Sequence, residues 1–404
     1  IAFGIILATT LSGSDLLTYN KVFALSIVAL SLVPLIGYGG QISLCQMSFA
    51  GIGAIVVAHL GATGNPLALV YAVVIAAAVG ALVALPALRL SGIYLALGTA
   101  AFALILDRWI FTMPKLTVFG LFSVSSFNQG SVDVQPIKLF GDAIASPASQ
   151  MVFGAIVFAL VALFVTAIRR GRLGRRLLAM KDSEAACATL GLNLLGTKLL
   201  VFAISAGIAG LGGGIYGMQL GSINPTYFSL VQSLQVFALA VVGGIGAVGG
   251  ALFAGVSLAL VLPLLAALFP SLNSWIPLLP GGAGIALGRN PNGAVDDMRQ
   301  GFLPLYKAKG VLIATLVLMA VVYALRLADV IANWPFVILM VGIPMVATGV
   351  AGFVQPTTLE TEEELRAPEV PLEWRGIDEP WTAEDLDELD RVVGLSEVEL
   401  HGAS

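Results

Sequence analysis

Long apolar segments alternate with short polar breaks along most of the first 354 residues. Apolar runs of about 20 residues recur, which is the helix length needed to cross roughly 30 Å of hydrocarbon. A membrane β-barrel would instead show alternating strands of about ten residues. The pattern therefore predicts an all-α, polytopic membrane helical bundle of about nine or ten transmembrane segments, formed by residues 1–353. The final stretch, 354–404, is acidic, and we expect it to be a disordered tail or linker.

Composition supports this assignment to the membrane class. Hydrophobic residues make up 58% of the chain and charged residues only 11%, whereas soluble domains carry about 25% charge. A soluble globular domain and a nucleic-acid-binding protein are therefore excluded. The chain starts at Ile1 inside an apolar run and without Met, so we expect it to be a fragment of a longer protein.

The one densely basic segment of the apolar region lies at 169–198, between two predicted spans. Six of its first thirteen residues are Lys or Arg, and basic loops are held on the cytoplasmic side of a membrane. A helix is predicted from about residue 174 to 190, with Gly191 and Asn193 suited to its C-terminal cap. A short helix offered to the cytosol at this point predicts a docking element for a partner.

A glycine-rich stretch at 37–44 interrupts the apolar pattern. Glycines this dense predict a helix break or re-entrant turn, which is tolerated at membrane depth only where protein or a water-filled cavity satisfies the backbone. Gln41 and Ser43 are predicted to lie near a translocation pathway, since polar side chains among apolar spans are costly unless used. For the following glycines, Gly51 and Gly53, close helix packing is the favoured alternative to a functional role.

Other polar positions in the spans have two interpretations each. Tyr94 and Thr99 are predicted pathway residues, although Tyr94 also suits an interfacial aromatic belt and Thr99 a bond to a neighbouring helix. Ser233 and Gln235 are either pathway or interhelical groups. His59 has no second His, Asp or Glu near it in sequence, and a hydrogen-bonded structural role is favoured for it.

Catalytic, metal and cofactor sites are not predicted. The glycine-rich stretch at 281–293 is not followed by the Gly-Lys-Ser or Gly-Lys-Thr of a phosphate-binding loop, and Thr197 and Lys198 occur in the reverse order. The nucleotide-binding part is therefore expected on another chain or domain. The role of the less typical loop at 270–309 is left open.

Several motifs occur in a fixed order between residues 20 and 265. They are Gly37-Tyr38-Gly39-Gly40-Gln41-Ile42-Ser43-Leu44, Phe49-Ala50-Gly51-Ile52-Gly53-Ala54, Gly92-Ile93-Tyr94, Glu184-Ala185-Ala186, Ile223-Asn224-Pro225 and the glycine turn at 243–250. Any one of them is weak evidence, but the ordered set resembles the permease subunits of branched-chain amino-acid ABC transporters.

The resemblance implies a function and a set of partners. It implies a multi-pass permease of the cell (plasma or inner) membrane that translocates branched-chain amino acids or related small amides, driven by ATP hydrolysis in a separate or fused ATPase. The implied partners are cytoplasmic ATP-binding subunits, a second homologous permease subunit, an extracytoplasmic substrate-binding protein and the lipid bilayer. Residues that match the family's coupling helix are Arg175, Glu184, Ala185, Ala186 and Gly191.

Two other functions compete with the importer. An ion-coupled secondary transporter of small polar solutes usually carries buried charges and an inverted repeat, and an intramembrane enzyme needs clustered His, Asp or Ser/Lys groups at membrane depth. The sequence shows few such charges and no clear repeat. Transport by the purified protein that depends on ATP, rather than on an ion gradient, distinguishes the importer from the secondary transporter.

Overall fold

The computed structural model describes most of the chain. The described residues are 14–87, 92–113, 116–118, 122–124, 127, 130–139, 142–272, 274–282, 293–328, 330–354, 382, 384–385 and 387. The glycine-rich stretch 283–292 and nearly all of the acidic tail, for which disorder was predicted, lie outside them. The chain forms two compact units, one of residues 1–302 and 318–341, the other of residues 303–317 and 342–404.

The described secondary structure is mainly helical. The helices are α1 Ser14–Tyr19, α2 Lys21–Leu30, α3 Gln46–Leu60, α4 Leu67–Ala87, α5 Ile93–Ile105, α6 Pro147–Arg170, α7 Arg172–Asp182, α8 Glu184–Thr189, α9 Leu194–Leu220, α10 Leu230–Gly243, α11 Val248–Val256, α12 Leu262–Leu268, α13 Ala294–Lys307, α14 Lys309–Leu327 and α15 Asn333–Val354. Turns of π-helix, Val33–Tyr38, Leu106–Ile110 and Ser257–Val261, follow α2, α5 and α11, and short 3-10 turns occupy Pro225–Phe228, Pro270–Leu272 and Ile276–Leu278.

The predicted polytopic helical bundle is confirmed, and the protein is a multi-pass membrane protein. Within the described residues, eight helical segments are long and apolar enough to cross a membrane, and two shorter apolar helices, Gln46–Leu60 and Ile338–Ala351, accompany them. Several of the spans expose large apolar side chains along their length, which is the surface that a lipid environment requires.

Helix α9 lies at the centre of the first unit, against α2, α3 and α4. Its glycines allow this packing, because a side chain at these positions would strike a neighbouring backbone. A Cβ at Gly213 would collide with the backbone of Ala50 on α3, and a Cβ at Gly210 would collide with the Ala76 methyl group and crowd the Ala72 carbonyl oxygen on α4. A Cβ at the partner glycine, Gly53, would likewise collide with the backbone of Gly210. The close-packing alternative therefore holds for Gly53, and Gly51 likewise packs against Phe111 and Phe228.

The first unit has two distinct ends. At one end, the guanidinium of Arg169 at the close of α6 lies 5.8 Å from the centroid of the Tyr38 ring. At the other end, Asn20 Nδ2 donates to Gln150 Oε1 near the start of α6, at 3.1 Å. We call the first the basic end, defined by residues 169–181.

Short strands accompany the loops of the first unit. The antiparallel pairs are β1 Leu116–Val118 with β2 Phe122–Val124, β4 Lys138–Leu139 with β5 Asp142–Ala143, and β3 Val132–Asp133 with β6 Ser222–Ile223. The register of the last pair places Val132 opposite Ile223, directly after the end of α9. The polar loop before α6 and the turn after α9 therefore meet at the end opposite the basic one.

The single helix predicted for 174–190 is wrong. Two helices, α7 and α8, occupy this region and are separated at Ser183, whose extended backbone (φ −154°) breaks the helix. The Ser183 side chain accepts a hydrogen bond from the Ala186 amide at 3.2 Å and so caps α8. Asn193 is not part of a C-terminal cap; its side chain accepts from the Gly196 amide at 2.8 Å and starts α9. Serine and asparagine favour N-caps because their side chains satisfy free helix amides.

The glycine packing yields a test. Gly53→Ala should destabilise the folded protein by about 1–3 kcal/mol or more, because the added methyl group meets the Gly210 backbone, which cannot move aside as a side chain would. Gly301→Ala is the matched control, since that helical position has nothing within 4 Å of an added Cβ and alanine favours helix by up to about 1 kcal/mol. Thermal unfolding of both variants in detergent measures the difference; equal stability would contradict the close contact.

Candidate functional site

The predicted break between the first two long apolar helices is present. The π-helical turn Val33–Tyr38 ends at Gly39, and residues 39–45 have no regular structure before α3 begins. Gly40 adopts φ +65°, a backbone conformation that glycine tolerates and other residues rarely adopt. The backbone N–H of Gln41 closes the helix end by donating to the Leu35 carbonyl at 3.1 Å. The chain then reverses direction, so that α3 runs antiparallel to α2 along α9.

Side chains from neighbouring helices satisfy the backbone of this break. The Leu44 amide donates to Thr99 Oγ1 on α5 at 3.0 Å, and Thr99 Oγ1 in turn donates to the Ala96 carbonyl at 2.9 Å. The Met47 amide at the start of α3 donates to Ser233 Oγ on α10 at 3.1 Å. Unpaired backbone groups in an apolar interior cost several kcal/mol, so Thr99 and Ser233 both have interhelical structural roles here.

A buried polar cluster lies directly behind the break, centred on Gln46. Ser31 Oγ donates to Gln46 Oε1 at 3.0 Å, Gln46 Nε2 donates to Ser205 Oγ at 3.2 Å, and Ser205 Oγ donates to the Ser31 carbonyl at 2.7 Å. The three side chains join α2, α3 and α9. Gln46 and Ser31 were not predicted as site residues, although both are polar residues in apolar runs, the same property that singled out Gln41 and Ser43.

The four predicted pathway residues are not all brought together. Gln41 is 4% exposed, and its amide nitrogen and oxygen have no hydrogen-bond partner among the described residues. Ser43 is buried, with its Oγ 3.3 Å from Cys45 Sγ. Thr99 reaches the same segment, whereas Tyr94 is 66% exposed at the start of α5 and lies outside the cluster. A buried amide without partners needs a physical explanation, which a translocation pathway would provide.

The predicted docking element stands exposed at the basic end. Arg175 on α7 and Ala185 and Ala186 on α8 are exposed. Glu184 pairs with Lys198 at the start of α9, with 2.6 Å between Glu184 Oε1 and Lys198 Nζ and the Glu184 side chain 54% exposed. The carboxylate is thus already engaged within the chain.

Gly191 ends α8 as the sequence predicted. Its φ is +73°, its amide donates to the Ala188 carbonyl at 3.0 Å, and the Leu192 amide donates to the Cys187 carbonyl at 3.1 Å. This pair of bonds is the Schellman motif, which requires a left-handed residue. Helix α8 is therefore held at both ends, by Ser183 and by Gly191.

Helix α7 touches the glycine break directly. Lys181 Nζ donates to the Gly37 carbonyl at 3.1 Å. A Cβ at Gly40 would lie 3.2 Å from the Lys181 side chain, and one at Gly39 would lie 3.5 Å from Leu177. Gly37 also abuts the second glycine turn, because its Cβ would lie 2.6 Å from the Ile245 carbonyl oxygen. The exposed helices and the buried break are thus parts of one contiguous structure.

Comparison with known proteins adds independent information. A family model described as "Branched-chain amino acid transport system / permease component" matches residues 16–286. The high-affinity branched-chain amino acid transport system permease protein LivM of Salmonella typhimurium is 31% identical over 273 residues, covering 63% of this chain and 62% of LivM. The corresponding LivH protein of Salmonella typhimurium is 32% identical over 143 residues, which cover 33% of this chain and 46% of LivH.

A third relative matches over a shorter region. The permease protein BraD of Pseudomonas aeruginosa is 36% identical over 91 residues, 22% of this chain and 29% of BraD. The chain thus spans less than two thirds of the length of each of these relatives. No solved structure matches the chain.

The two buried glutamines provide a test of the site. Gln46→Leu should lower the free energy of unfolding by about 1.5–4.5 kcal/mol, because it removes three side-chain hydrogen bonds, to Ser31, Ser43 and Ser205, worth roughly 0.5–1.5 kcal/mol each. Gln41→Leu should be neutral or stabilising, since it removes a buried polar group that has no partner among the described residues. Denaturation of the purified variants in detergent measures both changes, and an equal loss in the two variants would refute this division of roles.

Proposed function

The chain belongs to the family of permease components of branched-chain amino-acid transport systems, and from that premise we propose that it is a membrane-spanning half of an ATP-driven ABC importer. It translocates branched-chain amino acids or related small amides across the bacterial inner membrane. A separate or fused ATPase hydrolyses ATP, a second homologous permease completes the pathway, and an extracytoplasmic binding protein delivers the substrate. The chain itself is not the ATP-hydrolysing component.

The observation that carries this proposal is the exposed helix α8 at the basic end, together with its mechanical connection to the break. Helix α8 is short, capped at both ends and exposed along Ala185 and Ala186. Small side chains allow close approach of a partner surface, and rigid capping allows a displacement to be passed on. A flexible connector between two spans would need neither feature.

We propose that movement passes from α7 to the break through the hydrogen bond that Lys181 Nζ donates to the Gly37 carbonyl. A partner that moves α8 also moves α7, because only Ser183 separates the two helices. Helix α7 bears on the break through Lys181 and Leu177. Since Glu184 pairs with Lys198, we propose that this carboxylate anchors α8 to the start of α9 as well as facing the ATPase.

The proposed route passes the break at Gln41 and Ser43. Both side chains are buried beside a segment without regular structure, and that segment can rearrange without breaking a helix. Thr99 acts there by holding the Leu44 amide. For Tyr94, which is exposed, we propose a position at the lipid or subunit boundary of the route, consistent with the preference of tyrosine for interfaces.

Coupling is tested by a substitution on α8. Ala186→Trp should leave the permease folded and inserted, yet release the ATPase or uncouple its hydrolysis from transport, because the indole cannot fit where a methyl group faced the partner. Co-purification of the ATPase and transport-dependent ATP hydrolysis are the measurements. For comparison, the double variant Arg175→Gln with Arg176→Gln should alter insertion or loop position more than coupling, since each charge near an anionic surface contributes about 1 kcal/mol. Retention of both activities by Ala186→Trp would make this loop a plain connector.

The route is tested by uptake in variants that remain folded. Gln41→Leu and Ser43→Ala should each reduce uptake of labelled branched-chain amino acids at unchanged protein levels, because each removes a polar group from the proposed route. Gln300→Leu, on the exposed face of α13, serves as the control and should transport normally. Unchanged uptake and substrate profile in both route variants would place the pathway elsewhere.

A further inference from the structure

A cavity of about 380 Å³ lies within the first unit, beside α2, α9 and α10. Small-molecule sites usually measure roughly 300–1,000 Å³, so an amino acid is within its capacity. Its polar lining residues come from three of these elements and the turn between them: Lys21, Tyr216, Tyr227, Gln232 and Gln235. Of these residues, only Gln235 was considered from the sequence as either a pathway or an interhelical group.

The cavity lies near the end of the first unit that is opposite the basic end. Lys21 begins α2, and Tyr38 at the far end of the same helical segment lies at the basic end. At 1.5 Å per residue, these two residues are separated by roughly 25 Å along the helix. Met47, the residue after Gln46, also lines the cavity. The backbone amide of Met47 donates to Ser233 Oγ. The start of α2 and the start of α3 therefore both contribute to the cavity wall.

Lys21 gives the cavity a positive charge. Of the fourteen residues that line it, none is Asp or Glu, and no ion pair to Lys21 occurs where side chains are described. A half-buried ammonium group with no counterion in the described part of the chain attracts a carboxylate, and hydrogen bonds between charged groups are about twice as strong as neutral ones. A lysine that only anchored a helix end would extend into the lipid headgroups instead.

The remaining lining suits the other parts of an aliphatic α-amino acid. The hydroxyl groups of Tyr216 and Tyr227 and the side-chain carbonyl of Gln232 can accept hydrogen bonds from a substrate ammonium group. The two tyrosine rings meet edge to face, with 6.4 Å between their centroids, and an aromatic face also attracts cations. Leu25 and Val236 add apolar surface against which a branched side chain can be buried.

We propose that this cavity binds the translocated aliphatic α-amino acid, with Lys21 as the counterion of its carboxylate. The inference rests on the proposed importer function and adds to it a specific chamber on the side of the bundle opposite α7 and α8. Met47, which lines the cavity, directly follows Gln46 at the start of α3. A displacement of the break therefore changes the inner wall of the chamber.

The proposed role of the Lys21 charge is tested in the complete transporter, reconstituted in proteoliposomes with its binding protein and ATPase. Lys21→Met should lower uptake of labelled leucine on the order of tenfold or more, the size expected for a lost charge-assisted hydrogen bond. ATP hydrolysis stimulated by the binding protein should persist, because α7 and α8 are untouched. Lys21→Arg should recover uptake relative to Lys21→Met. Full leucine uptake by Lys21→Met overturns the assignment.

The cavity wall supplies a second variant that does not depend on the charge. Leu258→Trp fills part of the cavity and should reduce leucine uptake more than alanine uptake, because the smaller side chain still fits. Leu160→Trp, in a separate apolar groove, is the control and should leave the leucine-to-alanine ratio unchanged. If Lys21→Met fails to fold, an unchanged ratio in Leu258→Trp overturns the proposal, and a shifted ratio supports it.

Failure of this inference is distinguishable from failure of the proposed function. Absence of ATP-dependent branched-chain amino-acid uptake by the unmodified transporter refutes the importer itself. Normal uptake by the unmodified transporter together with insensitivity to Lys21→Met and Leu258→Trp refutes only the chamber.

Discussion

The backbone of residues 39–45 imposes the constraint on which the rest of the first unit depends. A segment without regular structure inside an apolar bundle must find partners for its amide and carbonyl groups, each of which costs several kcal/mol if left unpaired. Thr99 on α5 supplies an acceptor for the Leu44 amide within the segment, and Ser233 on α10 supplies one for the Met47 amide in the first turn of α3 that follows. The break thus determines where two other helices must stand, and Gln46 fixes α2 and α9 behind it.

Close packing makes these short polar contacts possible. Hydrogen bonds near 3 Å between side chains on three helices require that the helix backbones come close together. The glycines of α9 remove the side chains that would keep α3 and α4 at a distance. Small residues and interhelical hydrogen bonds are the means by which membrane helices associate, since lipid supplies no hydrophobic driving force between them. Here both occur on the same helix, with Ser205 only five residues before Gly210.

The sequence was informative where a local rule decides the structure. The apolar runs predicted the spans, the glycine density predicted the break, and Gly191 was predicted to end α8 because a left-handed residue is required there. The helix predicted for 174–190 failed because Ser183 captures the Ala186 amide, a competition between cap and helix continuation that composition alone does not settle. The Gln46 cluster and the Lys21 cavity combine residues more than a hundred positions apart, a proximity that no pattern along the chain encodes.

A mechanical argument follows from the order of contacts in the first unit. Coupling between distant sites requires an element with two arrangements that both sites bias. A rigid helix with intact hydrogen bonds is a poor candidate for that element. Residues 39–45 have no regular hydrogen-bond pattern to break; Thr99 accepts from the Leu44 amide within the segment, and Ser233 accepts from the Met47 amide just after it. In the proposed transporter, Lys181 and Leu177 act on one end of this segment, and Met47 forms part of the chamber wall at the other. The segment is therefore the natural hinge. The buried side-chain amide of Gln41 is the group best placed to gain a hydrogen-bond partner in a second arrangement of this segment.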